Sequence, residues 1–164
     1  MGDLRVWLLL SAALAVAGCT RTSSHEPAAL HPLSSAAASE RPMLVVHKNE
    51  SCGCCDVWVE HMRKHGFAAE VHDVDNMSPI KERLGVPSGM GSCHTAEVGG
   101  YFIEGHVPAE QVARLLKERP RAKGLTVPGM PVGSPGMEHG DMKQPYDVHL
   151  VHADGTTSVY ASYP

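Results

Sequence analysis

Three of the five cysteines in this 164-residue chain stand within four positions, as Ser51-Cys52-Gly53-Cys54-Cys55. A fourth, Cys93, lies in Gly89-Met90-Gly91-Ser92-Cys93-His94-Thr95. Thiolate rather than thiol is the form that attacks disulfides and ligates metals, and a helix N-terminus favours it through unpaired N–H groups and a positive dipole end. Gly53 and the glycines around Met90 allow close backbone approach. Three chemistries fit such a set. Two disulfides could staple a small exported domain. However, three clustered cysteines would close short rings, where stapling stabilises least, and adjacent Cys54 and Cys55 suit disulfide geometry poorly. A thiol–disulfide oxidoreductase would use Cys52 to attack and Cys55 to resolve, leaving Cys54 without a task. A metal site would use all four thiols. Structural zinc usually takes two separated C-x-x-C pairs, whereas clustered thiolates with His and Met nearby suit Cu(I).

The metal reading therefore takes Cys52, Cys54, Cys55 and Cys93 as ligands, with His94 completing or orienting the site. His47, His106, Met130 and Met137 form a second tier. Redox chemistry at Cys52 and Cys55 stays open beside it, because oxidising the thiols would remove the ligands. Eleven histidines and eight methionines raise the supply of further donors, most of them expected in solvent or core. Whether the protein is an enzyme is left open, with metal binding preferred.

Positioning these groups requires a compact α/β scaffold. Met43 to His47 is a short apolar run that predicts a buried strand feeding the cysteine loop. Cys55, Trp58, Val59 and Met62 share one helix face, and Gly66 follows as a C-cap. Phe67 to Val74 predicts a second strand. Ser78-Pro79 opens a short helix that Gly85 closes. Tyr101 to Ile103 reads as a strand after a Gly99-Gly100 turn, and Pro108 begins a helix with Ala109, Val112, Ala113 and Leu116 inward. A strand leading into C-x-x-C at a helix start, inside a βαβ unit, is thioredoxin-like. The expected fold is thus a small mixed sheet flanked by helices, with an irregular Pro/Gly-rich segment and a C-terminal hairpin turning at Asp154-Gly155. In that layout the loop before the third strand brings Cys93 and His94 to the first three thiols.

The chain's ends set the compartment. Val6 to Ala17 is apolar but short, which predicts a signal peptide over residues 1–18 rather than a spanning helix. Val16-Ala17-Gly18-Cys19 resembles a lipobox, making Cys19 the lipidated residue; Ala15-Val16-Ala17 would suit ordinary cleavage instead. Residues 19–42 are rich in Ser, Ala and Pro and read as a disordered tether reaching on the order of 25 Å. Residues 43–119 then form the thioredoxin-like core, and residues 120–164 pack onto it. Regular structure is not expected over residues 120–145. The location that follows is the periplasm, with a lipid anchor to the membrane or soluble. The net charge is −4 and the short basic run Lys117–Lys123 reads as the complement of a helix C-terminus, so nucleic acid is not expected as a partner. No Gly-rich phosphate loop, serine elbow or H-E-x-x-H occurs.

The combined pattern of the SCGCC loop, Trp58, Val86-Pro87, Ser92-Cys93-His94-Thr95, Gly105-His106-Val107-Pro108 and the segment Gly129-Met130-Pro131-Val132-Gly133-Ser134-Pro135-Gly136-Met137-Glu138 resembles the CopG-like periplasmic copper-resistance proteins. The resemblance runs from about residue 43 to about residue 138. It implies a thioredoxin-like fold that carries copper at Cys52, Cys54, Cys55 and Cys93, with His94 matching the family's neighbouring histidine. It further implies a part in copper tolerance, with other envelope copper-handling proteins as partners.

Overall fold

The computed structural model describes residues 41–164. The expected signal peptide, the lipidation at Cys19 and nearly all of the tether lie outside the described residues. Ten elements follow in the order β1 (Leu44–Lys48), α1 (Gly53–Lys64), β2 (Ala69–Asp73), α2 (Ser78–Leu84), β3 (His94–Val98), β4 (Tyr101–Glu104), α3 (Ala109–Glu118), β5 (Ala122–Thr126), β6 (Tyr146–His152) and β7 (Thr157–Tyr163). They build one mixed sheet of order β2-β1-β3-β4-β5-β6-β7. Among the described residues, no helix is long and apolar enough to cross a membrane.

The first four strands make the thioredoxin-like half. Helix α1 crosses over between parallel β1 and β2, while β3 pairs antiparallel with both β1 and β4. Gly99 and Gly100 at the β3–β4 turn have φ of 55° and 89°, left-handed values that glycine adopts without a Cβ clash. Strand alternation sorts the side chains. Leu44, Val46, Ala96, Ile103 and Leu125 are buried on one face, where α1 contributes Trp58, Val59 and Met62 and α3 contributes Val112 and Leu115. Helix α2 closes at Gly85, whose φ of 73° ends it as expected. Asn76, rather than Ser78, supplies the polar contact at its start, accepting the Ser78 N–H at 3.0 Å.

One expectation is corrected. Residues Ala122–Thr126 form β5, paired parallel to β4 and antiparallel to β6. The Pro/Gly composition around this stretch masked a strand whose Leu125 and Thr126 are fully buried. Glycine is required within it: a Cβ on Gly124 would lie 2.0 Å from the Phe102 carbonyl oxygen. The C-terminal hairpin turns at Gly155 (φ 88°) and extends the sheet through β5, so the tail is continuous with the core strands.

Candidate metal centre

Cys52 occupies the N-cap of α1, which places Cys54 and Cys55 in the first helical turn. Cys55 is fully buried and the other two are partly exposed. Cys52 and Cys55 are joined as a disulfide, and Cys54 and Cys93 are free. The four sulfurs nevertheless form one group within 4.8 Å. Cys93 Sγ lies 3.4 Å from Cys55 Sγ and 4.0 Å from Cys54 Sγ, and Cys54 Sγ lies 3.6 Å from Cys52 Sγ.

Two histidines complete a second, overlapping group with Cys93. His94 Nδ1 is 3.4 Å and His106 Nε2 is 3.1 Å from the Cys93 sulfur. His106 donates its Nδ1–H to the Pro135 carbonyl at 2.8 Å. A carbonyl can only accept, so Nε2 is left with its lone pair directed at the thiol, the tautomer a metal ligand needs. His94 is fully buried, packs against Trp58 with centroids 4.3 Å apart, and leaves Nε2 with no hydrogen-bond partner. A buried, unpartnered ring nitrogen is costly, and it is the ring's other nitrogen, Nδ1, that faces the Cys93 sulfur.

The loops that frame the site are held from both sides. Gly136 packs on the start of α1, where a Cβ would come within 2.8 Å of the Cys54 carbonyl oxygen and 2.9 Å of the Trp58 nitrogen. That contact orders the Pro-Gly-Met segment, with Pro131, Ser134 and Pro135 buried. The Met90–Cys93 strap is fixed by Gly129 N–H donating to the Gly91 carbonyl at 3.0 Å and by the Thr126 hydroxyl donating to the Met90 carbonyl at 2.6 Å. Clefts of about 460 and 490 Å³ lie elsewhere, lined by residues such as Arg83 and Tyr101 or Met130 and Tyr146. The tight sulfur group suits an ion rather than a molecule.

Second-tier residues separate. His106, read from sequence only as a secondary donor, stands beside Cys93. His47 does not join the cluster. It alternates to the β1 face opposite Val46, contacts Glu97 at 3.3 Å and stacks on His72. Met130 is 51% exposed and lines one of those other clefts, and Met137 is half-buried next to Gly136. Sequence reading missed Ser92, Thr95, Glu104 and Gly136 as supports. An acid ending an apolar strand, Tyr-Phe-Ile-Glu, was the available clue to Glu104.

Burial, and then the neighbouring Cys54, push the Cys93 thiol up to about 11, so without a cation this sulfur holds its proton. A bound cation reverses that preference. Burial also depresses His106, outweighing the Pro135 carbonyl. His94 is depressed well below the usual histidine range by burial, then by His106 and Lys81. Both rings are therefore neutral when folded, whereas the unfolded chain gains protons below about pH 6.5. Their contribution to stability is complete above that value and is lost as the pH falls beneath it. The melting temperature of metal-free protein is thus expected to drop between about pH 7 and pH 5. A temperature that stayed flat or rose on acidification would contradict neutral burial.

Residues 90–137 match the family described as a protein of unknown function, DUF411. Two solved structures, named copper resistance protein CopG form 2 and form 1, share 48% identity with the chain at a TM-score of 0.73. The alignments cover 76% of this chain and 100% and 99% of theirs. The chain belongs to the CopG copper-resistance family. Among curated proteins nothing matches it. In this chain the matched stretch, residues 90–137, carries Cys93, His94, His106 and the Pro-Gly-Met segment, which are the parts that fold over the α1 cysteines.

Proposed function

We propose that this protein binds Cu(I) in the bacterial cell envelope, through Cys52, Cys54, Cys55 and Cys93 as thiolate ligands with His94 and His106 beside them. The observation that carries this is the convergence of four sulfurs within 4.8 Å, brought from two separated loops. Soft thiolates select Cu(I), and His94 Nδ1, 3.4 Å from the Cys93 sulfur, adds a borderline donor. The work served is copper tolerance, by sequestration or by transfer to other envelope copper-handling proteins. Met130 and Met137 would pass copper inward. The leader-like N-terminus supports export, and the lipobox supports a lipid tether at Cys19.

Anaerobic titration of the reduced chain with Cu(I) against a competing chelator, with free thiols counted alongside, tests the reading. Tight uptake with loss of reactive thiols is expected. No uptake while the thiols cycle readily against a dithiol would overturn it.

The Cys52–Cys55 disulfide favours a second reading, thiol–disulfide exchange, in which it takes two electrons and two protons from a dithiol, leaving Cys52 and Cys55 as thiols and the donor as a disulfide. The two readings couple, since the disulfide removes two of four thiolates. Prior oxidation is therefore expected to lower Cu(I) capacity, and reduction to restore it. Cys54→Ser separates them: dithiol exchange should survive while copper capacity falls. Unchanged copper uptake in that variant would exclude Cys54 as a ligand.

A further inference from the structure

The acid that ends β4 has no place in an apolar strand unless something requires it there. Glu104 is fully buried, on the face of the sheet away from α1. Its carboxylate accepts the Ser92 backbone N–H at 2.6 Å on Oε1 and the Thr95 hydroxyl at 2.6 Å on Oε2. Lys81 of α2 reaches in to donate to Oε1, and to the Thr95 hydroxyl at 2.9 Å. Ser92 and Thr95 are the residues that flank Cys93 and His94, so the carboxylate grips both ends of the Cys93–His94 dipeptide. The next residue, Gly105, has a φ of 72°, and a Cβ there would lie 2.5 Å from the Ser92 Cβ and 2.7 Å from the Val127 oxygen. His106 follows, with its ring against the Cys93 sulfur. Glu104, Gly105 and His106 thus fix the Cys93 loop by a pair of hydrogen-bond acceptors, a close approach and a ring in succession.

We infer that Glu104 is a positioning residue that holds Cys93 against Cys54 and Cys55, with Lys81 and Thr95 keeping its carboxylate aimed at the Ser92 amide. Stability alone does not explain it, because buried ion pairs replaced by apolar residues of similar volume are often neutral or stabilising. What an apolar pair cannot do is accept the Ser92 N–H. The copper arm of the test rests on the proposed copper function; the thiol arm does not.

The test uses the full chain in four forms: wild type, K81M/E104L, E104Q and E104D. Cu(I) alone is titrated against a competing chelator. Separately, in a C52S/C54S background, the effective concentration of Cys93 at Cys55 is read from glutathione ratios, the pair being identified by peptide mass mapping. K81M/E104L is expected to unfold cooperatively yet bind Cu(I) on the order of 10- to 100-fold more weakly. Its Cys55–Cys93 pairing should fall in parallel. E104Q should stay close to wild type on both, since its carbonyl still accepts the Ser92 N–H and its amide can donate to Thr95. E104D keeps the charge but withdraws it by one methylene, and should weaken both; it decides the matter if K81M/E104L does not fold. Folded variants with unchanged copper affinity and unchanged pairing overturn the inference. If wild type takes up no Cu(I) but pairing still falls in K81M/E104L, the positioning role stands and the copper function falls.

Discussion

Replacing Cys93 with serine is expected to remove tight Cu(I) binding while leaving the fold intact. Cys93 is the one sulfur that comes from outside the α1 loop, and it lies within reach of Cys54, Cys55, His94 and His106 together. A serine oxygen is a hard donor that Cu(I) disfavours, so the loss exceeds the roughly 100-fold that follows from removing an outer partner. The fold should survive because Cys93 sits in a strap held through Met90, Gly91 and Ser92, with no cross-link of its own. Competition titration of the reduced variant, with far-ultraviolet circular dichroism as a check on folding, measures both halves. Wild-type affinity in a folded Cys93→Ser protein would rule out a site shared between the two loops.

The largest expected loss of stability comes from Trp58→Ala. Trp58 is fully buried in the α1 face, donates its Nε1–H to the Val107 carbonyl at 2.9 Å, and packs against the His94 ring. Truncation leaves a cavity and an unpaired carbonyl, at about 3–5 kcal/mol. In a domain of this size that lowers the melting temperature on the order of 10–20 °C. Chemical denaturation of Trp58→Ala and Trp58→Phe separates the parts, because phenylalanine restores most of the volume but not the hydrogen bond. A cost below about 1 kcal/mol for the alanine variant would show that the site relaxes around the loss.

These two residues also mark how far local sequence reaches. Cys52, Cys54 and Cys55 announce themselves because they are adjacent, and helix periodicity then forces Cys55 and Trp58 onto one buried face. The strand before them and the helix after them are local patterns, so the thioredoxin-like half is legible from residues 43 to 118. Cys93 and His94 could be assigned to the same place because the topology of that half puts the loop before the third strand beside the cysteine loop.

Other parts have no local signature. β5 was hidden because Pro and Gly dominate its surroundings, while its strand character comes from pairing with β4 and β6. His47 and His106, of equal standing in the sequence, separate for reasons of parity and register. One residue of strand alternation turns His47 away from the cluster, and the pairing of Thr95 with Glu104 brings the residues after β4 back over Cys93. Glu104 gains its role only from Lys81, Ser92 and Thr95, which the fold gathers around it from two other elements.

By itself, then, the sequence determined the chemistry on offer: four thiols, three of them at a helix start, and the α/β scaffold that short-range periodicity builds. Tertiary structure alone decided which further groups meet those thiols. Choice of partner across a sheet depends on pairing register, and no window of neighbouring residues encodes that.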